Sequence, residues 1–263
     1  MKTFKLIGIA ILATITCTNV SSCKNDEENN IDTREKKLVS IDFNGDLGWK
    51  FSYNSKGQLI ASYGGSCGDI TYFWENNAIV SSHLDQPINL DKNLISSMTG
   101  INDDNRVFTY NSAGQLIKEI IKQTYYTTSY TTLIEYVWQN DKLTNICSKS
   151  ITTGEYGITE GGTIREYTYS GKACKGYFPC LPYSFFGDNY DIFWAHPEII
   201  GLRTSQLPDK YYWKDTYDDD EKICQYTYTF DKDGYVQSCT ETTLRHYHGE
   251  TTTYSDVFTF TWE

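Results

Sequence analysis

The side chains able to do chemistry are few and scattered. His246 and His248 flank Tyr247, which puts two imidazoles on one strand face, a start for a metal site. No third ligand is near in sequence, and Gly249 marks a hairpin tip, so an exposed pair is the plainer expectation. Asp215, Asp218, Asp219, Asp220 and Glu221 form the densest acidic run, with Asp218 and Asp220 as its candidate cation ligands. The run lacks the glycine and fixed spacing of a calcium loop and reads as a solvated tip, as do Asn102, Asp103, Asp104 and Asn105. There is no Gly-x-Ser-x-Gly, phosphate loop, zinc-protease helix or Cys/His nucleophile spacing. The expectation is a protein that is not an enzyme and carries no cofactor. A carboxylate pair for sugar hydrolysis stays open, because only the fold decides which acids meet.

Cysteines and aromatics are the other candidates. Cys67, Cys147, Cys174, Cys180, Cys224 and Cys239 follow the N-terminal region, an even number that permits three bridges in an exported chain. Cys174 and Cys180 flank a Gly/Pro loop and are the candidate pair, with buried free thiols as the competing reading. A four-residue tip at 231–234 puts Phe230 opposite Tyr235, so Cys224 faces Glu241 and Cys239 faces Tyr226. The two thiols are then diagonal, roughly 7–8 Å apart, and too far for an unstrained bridge. The segment 176–209 holds four of the five prolines and the aromatics Tyr183, Phe185, Phe186, Tyr190, Phe193 and Trp194. Tyr183, Phe186, Tyr190 and Trp194 are the candidate ligand-stacking residues. Core packing is the competing role for all six tryptophans.

The elements that must position these residues read as strands. Aromatics make up 15% of the chain, with 22 Tyr but only 5 Pro and 2 Met, a profile that favours sheet. One pattern recurs: Phe51, Tyr53, Asn54, Gly57, Leu59; then Phe108, Tyr110, Asn111, Gly114, Leu116; then Tyr228, Phe230, Asp231, Gly234, Val236. Alternating aromatics end a strand, Asn or Asp bonds its own backbone, and Gly takes the positive φ that leaves the turn. A shorter tip follows Trp74 at Asn76-Asn77 and Trp138 at Asn140-Asp141, both suited to primed two-residue turns. Tyr167, Tyr169 and Gly171 look like a degenerate copy. Long and short tips alternate, so the apparent unit is a pair of hairpins. The prediction is an all-β antiparallel meander of about 12–15 strands, curled into a barrel-like sheet. Short helical insertions are expected near 89–99 and 180–201.

The N-terminus is an address. Lys2 and Lys5 precede the apolar run 6–16, which is signal-peptide length and too short to span a bilayer. Val20-Ser21-Ser22-Cys23 resembles the lipobox of bacterial lipoproteins, in which the cysteine is acylated and the signal is cut before it. Cys17 fits less well, and plain secretion with Cys23 as a thiol is the alternative. Acyl chains on Cys23 would anchor the chain stably. The domains expected are a signal peptide 1–22, an acidic tether 23–37 and a β-meander domain 38–263. Lys24-Asn25-Asp26-Glu27-Glu28 resembles the signal that exports Bacteroidetes lipoproteins to the cell surface. Cleavage takes two lysines and no acid, moving the formal charge from -11 to -13. That charge argues against nucleic acid and anionic membrane surfaces as partners.

The hairpin tips also resemble tyrosine-aspartate repeats of bacterial shell-forming proteins. A closer likeness covers most of 38–263. Gly201, Arg203, Ser205, Leu207 and Pro208, followed by a strand and the Phe230–Val236 tip, resemble an uncharacterised Bacteroidales lipoprotein family, a domain of unknown function with a porin-like fold. The resemblance implies a closed or nearly closed β-meander and no activity. Porin-like need not mean a pore. Strand 116–125 carries Lys118 and Lys122 on one face and Glu119 and Gln123 on the other, and neither suits lipid. The expected role is a lipid-anchored outer-membrane or surface protein facing the cell exterior. It would be a non-catalytic module binding glycan or protein beside 176–209. The alternatives are a structural component of an envelope complex and a secreted glycan hydrolase.

Overall fold

The computed structural model describes residues 35–64, 68–100, 103–155, 157–173, 175–177, 191–204 and 206–263, with the backbone alone at Leu47. Sixteen strands lie among the described residues: β1 (Leu38–Phe43), β2 (Asp46–Tyr53), β3 (Leu59–Gly64), β4 (Ile70–Trp74), β5 (Ala78–Ser81), β6 (Ile88–Asp91), β7 (Leu94–Thr99), β8 (Asn105–Tyr110), β9 (Leu116–Tyr125), β10 (Thr128–Gln139), β11 (Lys142–Gly154), β12 (Gly157–Thr168), β13 (Lys210–Asp215), β14 (Asp220–Phe230), β15 (Val236–Tyr247) and β16 (Glu250–Trp262). Each pairs antiparallel with its chain neighbours, and β1 pairs with β16, so the meander closes into a barrel. Closure removes the sheet edges that a meander would otherwise expose.

The repeat in the sequence becomes a ring at one end of this barrel. An aromatic ending an even-numbered strand donates a hydrogen bond to a carbonyl near the start of the preceding odd-numbered strand. The pairs are Tyr53 to Leu38, Trp74 to Leu59, Tyr110 to Ile95, Trp138 to Leu116, Tyr169 to Leu143, Tyr228 to Pro208 and Trp262 to Val236, all at 2.6–2.8 Å. Beneath the aromatics, Leu38, Leu59, Ile79, Ile95, Leu116, Leu143, Leu207 and Val236 are fully buried. The polar tips of Tyr and Trp thus satisfy backbone carbonyls while their rings pack on the aliphatic layer. The long tips form as expected. Asn54, Asn111 and Asp231 each accept two backbone N–H bonds at 2.9–3.1 Å, and Gly57, Gly114 and Gly234 have φ of 75°, 78° and 89°.

Five expectations need correction. Residues 89–99 are not helical; they are the hairpin β6–β7, turning at Lys92-Asn93 with both φ positive. This hidden hairpin raises the strand number above 12–15. It also breaks the alternation of tips, so the repeating unit is one hairpin. Asn140-Asp141 makes the expected primed turn with φ of 49° and 58°, whereas Asn76-Asn77 does not have positive φ. A bulge between Thr229 and Phe230 shifts the last tip, so Cys224 faces Thr243 and Cys239 faces Tyr228. The two thiols are further apart than the diagonal placement expected, and both are buried and free.

The expected insertion near 180–201 is helical at α1 (Asp191–Ala195), and its residues 180–190 lie outside the described residues. From α1 onward the segment fills the ringed end. Ile192, Phe193, Trp194, Ile199, Ile200 and Leu202 are buried in the core, and Trp194 meets Trp49 with ring centroids 4.4 Å apart. Bulges in the wall turn backbone groups inward, and this plug satisfies them. Leu59 N donates to His196 Nε2 at 3.0 Å, Ile95 N to the Ile199 carbonyl at 2.8 Å, and Leu116 N to the Gly201 carbonyl at 3.1 Å. Gly201 has φ of 65°, and a Cβ there would sit 2.4 Å from the Gly114 carbonyl oxygen. The plug therefore crosses the β8–β9 tip only because that residue is glycine. Arg203 bonds Glu35, Leu207 joins the aliphatic ring and Pro208 receives Tyr228, which gives most of the Gly201–Pro208 motif a structural job.

Candidate functional site

The barrel wall is uneven. Strands β3 to β8 have 4–6 residues, whereas β9 to β12 and β14 to β16 have 10–13. With the ringed end plugged, the tall wall encloses a cup above the plug. Strand alternation decides what lines it: one residue in two faces inward. Among the inward residues of the taller strands, polar and aromatic types join aliphatics such as Ile121, Ile134 and Ile146.

A cavity of about 180 Å³ lies against β8 to β12, lined by Arg106, Glu119, Ile121, Thr132, Ile134, Tyr136, Ile146, Ser148, Thr163 and Arg165. Its chemistry centres on Glu119, whose side chain is 1% exposed. Arg106 Nη1 lies 3.2 Å from Glu119 Oε1, and Tyr136 OH donates to Oε2 at 3.0 Å. Arg106 Nε also engages Asp104. Burial pushes the Glu119 carboxyl up, and Arg106 and Tyr136 pull it back only in part. The same burial, with the Glu119 charge beside it, raises the Tyr136 phenol well above its ordinary value. Hydroxyl pairs run along the wall: Thr132 to Ser150 and Ser148 to Thr163, both at 2.9 Å.

Register extends this lining around the cup. Tyr136, Ile146, Arg165, Trp213, Lys222 and Arg245 stand opposite one another in succession from β10 to β15. Lys222 Nζ sits 4.6 Å above the Trp213 ring, and Arg245 is held by both oxygens of Asp220 at 2.8 and 2.6 Å. The row nearer the plug is Tyr167, Tyr211, Cys224, Thr243 and Tyr254. Burial raises the Tyr211 phenol and the Cys224 thiol, so neither is an acid–base group near neutral pH. Glu241 stands opposite Asp256; burial first, then that neighbour's charge, pushes its carboxyl up, while Tyr226 and Thr243 hydrogen bonds oppose the shift.

The residues singled out in sequence fall elsewhere. Trp194 is 1% exposed inside the plug and presents no face to solvent. Tyr183, Phe186 and Tyr190 lie outside the described residues, as do Cys23, Cys67, Cys174 and Cys180. His246 bonds Thr251 through Nδ1 at 2.8 Å; His248 sits in the β15–β16 turn with φ of 48°, 3.5 Å from Asp218. Asp220 is buried on Arg245 and so is not the solvated acid expected, and Asp104 is likewise buried against Arg106. No group of three or more His, Cys, Asp or Glu poised for a metal occurs among the described residues. Sequence reading missed Arg106 and Arg165, and it weighed Trp213 only as one of six tryptophans, with Trp194 set ahead of it. Its one usable signal was that Glu119 shares a strand face opposite Lys118 and Lys122.

No family model matches the chain, and no curated protein does. Solved structures do. A porin-like protein from Bacteroides uniformis superposes with a TM-score of 0.56 at 16% identity, covering 87% of this chain and 94% of that one. A porin-like protein from Bacteroides vulgatus gives 0.52 at 12% identity, covering 87% and 98%. The porin-like fold expected from the resemblance is therefore the fold of this chain.

Proposed function

We propose that this protein is a lipid-anchored, non-catalytic binding module of the bacterial outer membrane, carried on an acylated Cys23 and facing the cell exterior. Its ligand is a small glycan, and the site is the cup rather than the insertion. The observation that carries the reading is the inward row Arg165–Trp213–Lys222, an indole ring with the Lys222 ammonium over one face and Arg165 on the neighbouring strand, above a plugged floor. Sugars need such a combination, because their apolar ring faces stack on aromatics while their hydroxyls take donors and acceptors together. The plug supports binding over transport, since it is hydrogen-bonded to β3 through the His196 side chain and to β7 and β9 through its backbone carbonyls.

The test is retention of the full chain, purified in mild detergent, on a glycan array and on immobilised polysaccharide. Specific retention that Trp213→Ala abolishes is the expected result. Retention indifferent to Trp213→Ala moves the site out of the cup, and no retention on any glycan overturns the reading in favour of an envelope-complex component. The anchor has its own check: Cys23→Ser is expected to abolish incorporation of labelled palmitate and release the protein from the membrane fraction.

A further inference from the structure

Two of the five arginines in an acidic chain face one cavity, and they face it across an acid. At a liquid volume of about 30 Å³ per water, the space of about 180 Å³ holds about six waters, or the carboxylate-bearing end of a monosaccharide. Its apolar side is Ile121, Ile134 and Ile146; its polar side is guanidinium and hydroxyl. A guanidinium fork is matched to carboxylate and phosphate, and the isoleucine side of the cavity suits the carbon skeleton of an organic carboxylate. Glu119 already acts as an internal stand-in: its own carboxylate occupies Arg106 and Tyr136 at the cavity wall.

We propose that this cavity binds the carboxylate of a small solute between Arg165 and Arg106, and that the incoming anion displaces Glu119, which takes up a proton from water. The proposal rests on the reading of the cup as the binding site and names the ligand chemistry there. With the solute bound, its carboxylate, Glu119 and Asp104 set three negative charges against two half-buried guanidiniums, so one carboxyl must be neutral. Glu119 is the one placed to accept the proton, because it is already desolvated. The charged and titratable groups around it are Arg106 and Asp104 on the β8 side, Tyr110 at the end of β8, Tyr136 from β10 and Arg165 on β12. Arg106 keeps Asp104 when Glu119 becomes neutral, so it stays positioned. The lining hydroxyls Thr132, Ser148 and Thr163 are left to hydroxyl groups of the solute.

The experiment compares galacturonate with galactose, two solutes differing at one carbon, by calorimetric titration of the full chain in mild detergent at pH 5.5 and 7.5. A charge-assisted pair of hydrogen bonds predicts roughly tenfold or greater preference for galacturonate. Its affinity should rise as pH falls, with net proton uptake shown by buffers of different ionisation enthalpy. Arg165→Gln is expected to remove the preference. Glu119→Gln, a near-isostere that keeps Tyr136 and Arg106 partnered, is expected to bind galacturonate more tightly and without pH dependence. Equal binding of both sugars, or galacturonate binding unaffected by Arg165→Gln, overturns this proposal and leaves the cup a binding site. A galacturonate preference that persists with no proton uptake overturns the displacement step. Binding of neither solute overturns the proposal, and glycan-array retention sensitive to Trp213→Ala then still upholds the cup.

Discussion

Two titratable carboxyls of the cup make opposite contributions to stability as pH changes. Glu119 titrates above its ordinary value of 4.5 in the folded barrel, chiefly through burial. Between that value and its raised folded value, the native state holds a proton that the unfolded chain has lost. Stability therefore falls as pH rises through this window. Glu119→Gln is expected to flatten that slope and to match or exceed the wild type in urea midpoint near pH 7.5. Asp220 behaves in reverse. The Arg245 hydrogen bonds hold its carboxyl below 3.8, so its stabilisation is present above that value and is lost as pH falls through the folded value. Asp220→Asn should lower the urea midpoint at neutral pH and leave the acid limb shallower. Midpoints of both variants measured from pH 3 to 8 separate the two effects by sign.

At the scale of elements, close backbone approaches and the plug decide stability. A Cβ at Gly162 would lie 2.1 Å from the Ser148 carbonyl oxygen, beside the Ser148–Thr163 pair that lines the cavity. Gly162→Ala is expected to cost about 1–3 kcal/mol in urea unfolding, the usual range for overpacking. His196→Ala removes the acceptor of the inward Leu59 N–H, and a buried donor left unpaired costs about 1–3 kcal/mol. Burial pushes Glu198 up, but its interaction with His196, a backbone hydrogen bond and the Lys37 charge together more than offset this and hold its carboxyl below the ordinary range, so the latch includes that acid too. These elements were unequally legible in the sequence. Tips built on Asn54, Asn111 and Asp231 were plain because side-chain bonds and glycine φ are local. The β6–β7 hairpin was not, because Asn89, Asp91 and Gly100 mimic helix caps and only pairing with β5 and β8 fixes the strands. Arg106, Glu119 and Arg165 meet across five strands, and a single bulge changes the register between them. No sequence spacing encodes that meeting. Trp194 looked available for the opposite reason: an aromatic cluster reads the same whether it faces water or plugs a barrel.

At the scale of the whole molecule, the question is whether a porin-like barrel of this kind crosses a membrane. A closed barrel spans only if every strand does. β5 and β6 have 4 residues each, about 13 Å at about 3.3 Å per residue. The apolar band of an outer-membrane barrel is about 25 Å tall. The outer face of the tall wall is also wrong for lipid. Lys149 and Glu160 form an ion pair there at 2.9 Å, with more than half of each side chain exposed, and Thr253, Ser255 and Thr259 continue the polar surface on β16. Charges facing lipid at mid-depth cost about 2–4 kcal/mol for Lys or Arg, so such a face is built for water. The expected outcome follows for the chain with Cys23→Ser. It should stay folded and monomeric in detergent-free buffer, by size-exclusion chromatography and a cooperative β-sheet melt in circular dichroism. In a planar bilayer it should produce no conductance, because the plug blocks the ringed end and the short wall cannot bridge the leaflets. Aggregation on detergent removal together with stepwise conductance would make this a membrane-spanning pore and would move the ligand question from a cup to a channel.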